Sequence, residues 1–175
     1  MGYDVTAVWE GRVRECELAE RLCRGLEAQG YLLATAESCT GGLLSHWITN
    51  TPGSSASFVG GIIAYANAIK ENALGVPSAL IEEHGAVSAA VASAMARGVR
   101  ASMRAQVGVA ITGIAGPTGA VAGKPVGTVF VAISTPQGES CRRYQWQGDR
   151  VANKEASARA ALLFLLEALN IPSSD

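Results

Sequence analysis

The apolar positions of this chain change period several times, and the changes mark its elements. From Glu15 to Ala28, Leu18, Leu22 and Leu26 recur every fourth residue with Cys23 alongside, which predicts an amphipathic helix stopped by Gly30. Tyr31 to Ala36 is a short apolar run after that turn and predicts a strand. Ser38-Cys39-Thr40-Gly41-Gly42 opens a second helix reaching about Ile48, and Pro52-Gly53-Ser54-Ser55 reads as a loop. Phe58 to Ala66 predicts a strand and Asn67 to Leu74 a short helix. Ser88 is placed to cap a long helix reaching about Arg104. Val107 to Ile111 predicts a buried strand, and Gly113 to Lys124 a glycine-rich loop. Val126–Ser134 and Ser140–Trp146 form a hairpin around Pro136-Gln137-Gly138. Asp149 caps a last helix running to about Leu169.

Helices that alternate with strands in this order must cover both faces of one sheet. The fold expected is an α/β, three-layer α/β/α sandwich. The closing hairpin makes its sheet mixed rather than purely parallel. The 175 residues suit one domain, with no repeat and no interior linker, and residues 1–11 and 171–175 are expected to be peripheral.

Composition narrows the function classes. A hydrophobic share of 49% against 17% charged residues supports a sizeable core. The net charge of -1 argues against a broad nucleic-acid footprint, so no nucleic-acid partner is expected. No apolar run reaches about 18 residues, so no membrane span is expected either. Met1 to Glu10 lacks the basic and apolar regions of a signal peptide, and a cytoplasmic location is the simplest reading. The four cysteines form no CxxC pair and the two histidines lie far apart, which supports neither a disulfide scaffold nor a zinc site. No metal and no cofactor are expected.

Polar residues at the strand ends carry the candidate chemistry. Ser38 and Thr40 follow a strand, where they can cap a helix or present a nucleophile beside free amides. Cys39 is intrinsically the better nucleophile, and a helix start would activate its thiol. Lys70 lies one helical turn beyond Asn67 and close to Tyr65; it is either a solvated helix lysine or a base tuned by apolar surroundings. Thr112-Gly113-Ile114-Ala115-Gly116-Pro117 leaves a buried strand either as a plain turn or as a backbone cradle for an anion. Arg150 stands in the first turn of the last helix, where a cation opposes the helix dipole. A salt bridge to Asp149 or Glu155, solvation, or a bound anion would offset this.

The segments Thr35–Gly42, Pro52–Ala56, Tyr65-x-Asn67-x-x-Lys70, Leu74-Gly75-Val76, His84–Ser88, Thr112–Pro117, Lys124–Val129 and Gly148-Asp149-Arg150, in this order, resemble the CinA C-terminal domain family. That family includes stand-alone nicotinamide mononucleotide amidohydrolases, and this chain, without room for a further N-terminal domain, is similar to those. The resemblance implies that Ser38 is the nucleophile, that Lys70 is its base, and that Tyr65 assists proton transfer or orients Lys70. It implies that Thr112, Gly113 and Arg150 bind the nucleotide. It places Glu37, Thr40, Gly41, Gly42, Ser54, Ser55, Asn67, Ile114, Ala115 and Gly116 in the substrate site, and it implies a homodimer. Gly119-Ala120 departs from a pair of glycines common in the family. Two other functions stand beside this one: a non-catalytic nucleotide-binding or regulatory module, and an amidase for another small amide.

Overall fold

The computed structural model describes residues 14–172. The sequence patterns build eleven regular elements. They are α1 (Glu15–Gln29), β1 (Leu33–Glu37), α2 (Leu43–Thr49), β2 (Phe58–Ile63), α3 (Asn67–Leu74), α4 (Ser78–His84), α5 (Ala89–Ser102), β3 (Val107–Gly113), β4 (Thr128–Thr135), β5 (Gly138–Gln145) and α6 (Arg150–Ala168). The strands form one five-stranded sheet in the order β2-β1-β3-β4-β5. β2, β1 and β3 are parallel, and β4 and β5 add antiparallel, so the sheet is mixed.

Strand alternation divides the core into two. Leu33, Val107, Val109, Ile111, Val131 and Ile133 point to one face, where α1 and α6 cover them with Leu18, Leu22, Leu162 and Leu165. Each such leucine, fully buried, contributes roughly 1.5–3 kcal/mol, which is what docks an amphipathic helix that would be marginal alone. The opposite face carries Ala34, Ala36, Ala110 and Ala132, small residues that let α5 approach closely through Val91, Met95 and Val99. The result is the three-layer α/β/α sandwich.

Several boundaries differ from the sequence expectation, each for a local reason. The second helix starts at Leu43 rather than inside Ser38–Gly42, because Gly41 and Gly42 adopt left-handed backbone (φ 64° and 98°) and hold that segment as a turn. β2 ends at Ile63 rather than Ala66, because the carbonyls of Ala64 and Tyr65 leave the sheet to accept from Lys70. The long helix stops at Ser102, and Arg104 beyond it is left-handed. The helix α4 between Pro77 and Gly85 escapes the periodicity reading; its signal is the proline at its start and the glycine at its end. After α6, Ile171 packs onto the core beside Gly25, and Arg21 donates to the Pro172 carbonyl at 2.9 Å. The expectation for Met1–Gly11 falls outside the described residues.

Chain order places the site. From β1 the chain passes to β2 on one side of the sheet, and from β2 it returns to β3 on the other. The carboxyl ends of β1 and β3 therefore flank a topological switch point, where open α/β sheets leave a crevice. Among the described residues, no helix is long and apolar enough to cross a membrane.

Candidate active site

A cavity of about 330 Å³ opens in that crevice. It is lined by Ser38 from the end of β1, by Tyr65, Asn67 and Lys70 around the start of α3, by Thr112 to Gly116 after β3, and by Arg150 at the start of α6. Ten residues singled out from the sequence thus meet in one place, although they come from four separate stretches of chain.

Ser38 sits at the head of a braced turn. Its amide donates to the Ile111 carbonyl at 2.9 Å, which ties it to the neighbouring strand. The turn beyond it is organised by Glu37. That carboxylate, 1% exposed, accepts from the amides of Gly42 (3.0 Å), Leu44 (3.2 Å) and Ser45 (2.8 Å) and from the Ser45 hydroxyl (2.6 Å). Neither Ser38 nor Thr40 caps α2. Glu37 satisfies its orphan amides instead, with a charge suited to a helix start. Glu37 thus holds the start of α2 from the end of β1.

Lys70 is the unusual residue. It is 2% exposed, and its ammonium nitrogen lies 3.3 Å from Ser38 Oγ, 2.8 Å from the Ala64 carbonyl and 3.1 Å from the Tyr65 carbonyl. None of these partners is charged. Burial therefore pushes the Lys70 amine below the ordinary lysine value of 10.5. The opposing influence, attraction to a Cys39 thiolate, vanishes near neutrality because Cys39 is itself a thiol there. Burial, reinforced by the neighbouring Glu37 charge and only partly countered by a backbone hydrogen bond and by lysine charges, pushes the Cys39 thiol up to about 12. Cys39 borders the cavity but is not the activated thiol that its place in the sequence suggests. A neutral Lys70 has two N–H groups for the two carbonyls and one lone pair for the Ser38 hydroxyl, which matches the three partners present.

The far wall is an amide-lined turn. The carbonyls of Ile114, Ala115 and Gly116 are all engaged: Gly127 N donates to Ile114 at 2.7 Å, Asn153 Nδ2 to Ala115 at 3.0 Å and Arg150 Nη1 to Gly116 at 2.7 Å. Among the described residues, the amides of Ala115 and Gly116 enter no backbone hydrogen bond, so they remain free for an anion. Among the described residues, Arg150 makes no ion pair. Its second amino group donates to the Tyr65 hydroxyl at 3.0 Å. Tyr65 is 62% exposed; its ring meets Arg150, and only its backbone carbonyl meets Lys70. Thr112 Oγ1 donates to the Ala86 carbonyl at 2.8 Å, which leaves it an acceptor for a ligand.

Residues 15–169 match the model of the CinA C-terminal domain. The chain belongs to the CinA C-terminal domain family. It is 48% identical over 159 residues to a CinA-like protein of Anaeromyxobacter sp. (91% of this chain, 38% of the relative). It is 51% identical over 137 residues to a CinA-like protein of Salinibacter ruber (78% of this chain, 33% of the relative). The chain thus spans about a third of the length of these curated relatives. Among solved structures it resembles the competence/damage inducible protein of Agrobacterium tumefaciens, with TM-score 0.85, 39% identity, and coverage of 89% of this chain and 95% of that one. It also resembles a CinA superfamily protein of Klebsiella pneumoniae, with TM-score 0.87, 34% identity, and coverage of 90% and 99%.

In this CinA domain, six sequence-singled residues stay outside the cavity. Glu37 is the cap already described. Gly41 and Gly42 shape the turn behind Ser38. Thr40 is 1% exposed, and its hydroxyl finds no partner among the described residues. Ser54 and Ser55 form a 3-10 turn just before β2, at the opposite end of the sheet, because Ser57 accepts from the first residue of β1 there. Within one chain they are too far round the sheet to line the crevice. Sequence reasoning, in turn, misses Asn153. It is buried, and besides holding Ala115 it accepts from the Gly148 amide at 3.0 Å. It thereby joins the amide-lined turn to the start of α6. The one available signal is an amide side chain on the apolar face of a helix.

Proposed function

We propose that this CinA domain is a nicotinamide mononucleotide amidohydrolase working through Ser38 and Lys70. The single observation that supports it most is the buried Lys70 amine, surrounded by neutral acceptors and 3.3 Å from Ser38 Oγ. Burying a cation without a counter-charge is costly, and a nucleotide-binding module gains nothing from it. A serine nucleophile needs a nearby base.

In this reading Lys70 accepts the Ser38 hydroxyl proton as Oγ attacks the carboxamide carbon. The developing oxyanion takes hydrogen bonds from the amides of Cys39 and Thr40, which enter no backbone hydrogen bond among the described residues. Lys70, now an ammonium, protonates the departing amine, and ammonia leaves an ester on Ser38. Water then attacks that ester with Lys70 again as base, releasing nicotinate mononucleotide. Arg150 and the amides of Ala115 and Gly116 receive the phosphate.

The deciding measurement is ammonia release from nicotinamide mononucleotide, run beside nicotinamide riboside and simple amides. Release from every amide alike, or from none, would sink the nucleotide assignment.

Two further outcomes are expected. Activity should rise with pH through the Lys70 titration, because only the neutral amine is a base, and the midpoint should lie below the ordinary lysine value. The same depression adds stability as pH rises from that midpoint towards 10.5, since there the unfolded chain holds the extra proton. A kcat/KM profile measured on both the unaltered protein and Cys39→Ala checks the origin: a limb that disappears in Cys39→Ala would belong to the thiol. Activity should also survive exhaustive chelation. Among the described residues no group of three or more His, Cys, Asp or Glu side chains is placed to hold a metal ion. Ammonia release that chelation abolished and zinc restored would refute the serine route.

A further inference from the structure

At the end of the sheet opposite Ser38, where β3 begins and β4 ends, a second cavity of about 410 Å³ is lined by Arg97, Arg100, Arg104, Ser134 and Glu139. The three arginines follow one another at i, i+3 and i+7. They share one face of α5 and the turn that ends it, over a length of about 10 Å. Their charge is not balanced. Arg97 pairs with Glu139 at 2.6 Å. Arg100 spends one amino group on neutral acceptors, Ser134 Oγ at 3.2 Å and the Thr135 carbonyl at 2.9 Å. Among the described residues, no carboxylate lies within ion-pair distance of Arg100 or Arg104.

Basic residues near a helix C-terminus are favourable in general, but that does not explain Arg104. It has φ 52°, in the left-handed region, and the Ala105 amide donates to the Arg100 carbonyl at 3.0 Å to close the turn over it. Glycine is the usual occupant of such a position, because a Cβ crowds the backbone there. A long cationic side chain is kept instead, at a conformational cost and on the rim of a cationic cavity. Backbone strain of this kind points to a role for the side chain.

We propose that this cavity is a second anion site that takes a chain of two or three linked phosphates, held chiefly by Arg100 and Arg104. Guanidinium groups match phosphate oxygens bidentately. Cations spread over about 10 Å suit an elongated polyanion better than a single phosphate. Buried Ser134 orients Arg100 from beneath, and Glu139 confines Arg97. The site lies at the far end of the sheet from Ser38, so it does not rest on the amidohydrolase reading.

Inorganic tripolyphosphate titrated calorimetrically into Arg150→Ala protein tests it, since that variant lacks the arginine of the Ser38 crevice. The expected result is saturable binding of one equivalent that weakens as salt is raised. Arg100→Gln and Arg104→Gly should each weaken it about tenfold, the scale of one charge-assisted contact, and Glu139→Gln should tighten it. Arg104→Gly should also melt about 2–4 °C higher without ligand, as glycine relieves the left-handed strain; a merely structural arginine would melt lower when replaced. ATP binding as tightly as tripolyphosphate supports a nucleotide as the source of the phosphates, and weaker ATP binding supports free polyphosphate. No saturable binding, or an affinity unchanged in Arg100→Gln and Arg104→Gly, would overturn the proposal.

Discussion

Ser38→Ala and Lys70→Ala are each expected to reduce ammonia release from nicotinamide mononucleotide by about two or more orders of magnitude, the usual scale for losing a nucleophile or its base. The two residues act as a unit across 3.3 Å, so the double variant should be little worse than either alone. Lys70→Arg should not rescue. A guanidinium stays protonated at any working pH and cannot take the serine proton. Cys39→Ala should remain active, because a thiol pushed up to about 12 supplies almost no thiolate near neutrality. Turnover and melting temperature measured on all five proteins separate chemistry from folding. Lys70→Ala should not simply unfold the domain: it deletes a buried amine that has no counter-charge, though it also leaves the Ala64 and Tyr65 carbonyls unpartnered. A dead Cys39→Ala beside a live Ser38→Ala would reverse the nucleophile assignment.

The layers of this fold are legible in the sequence because each element's burial follows its own period. Leu18, Leu22 and Leu26 describe one face of α1, and all three are fully buried. The hairpin of β4 and β5 turns on Pro136 and Gln137, where the turn residues place it. The site is only partly legible. Lys70 and Ser38 stand 32 residues apart, and no local pattern says that they touch. Their pairing comes from the family resemblance, and their distance from the parallel register that sets the end of β1 beside the carbonyls of Ala64 and Tyr65.

Glu37 marks a different limit. Serine and threonine are the usual helix caps, so a sequence reading looks to Ser38 and Thr40 for that role. With Gly41 and Gly42 both left-handed, the helix begins later than the hydroxyls suggest. The carboxylate at the end of the strand can then reach three amides at once. Ser54 and Ser55 stand outside the cavity for a plainer reason. A shared motif does not fix proximity, and their turn closes the other end of β1.

Arg150→Ala should weaken the use of nicotinamide mononucleotide by roughly 2–3 kcal/mol in kcat/KM, at the upper range for a hydrogen bond to a charged group. Its surroundings make the sign clear. Among the described residues Arg150 forms no ion pair, and its partners are a carbonyl and a phenol. Yet it sits in the first turn of α6, where a cation is unfavourable by about 0.3–1 kcal/mol. A phosphate there would meet the guanidinium together with the free amides of Ala115 and Gly116, and the neutral partners could yield without stranding a buried charge. The loss should be much smaller for nicotinamide riboside, which has no phosphate. Arg150→Lys should recover only part of it, because an ammonium cannot form the paired contact. Tyr65→Phe should raise KM modestly and leave kcat nearly unchanged: its hydroxyl holds Arg150, while its carbonyl still holds Lys70. Kinetics on both substrates decide between the two roles open to Arg150. An equal loss on nucleotide and riboside would make it a brace for the Gly116 turn, with no part in reading the phosphate.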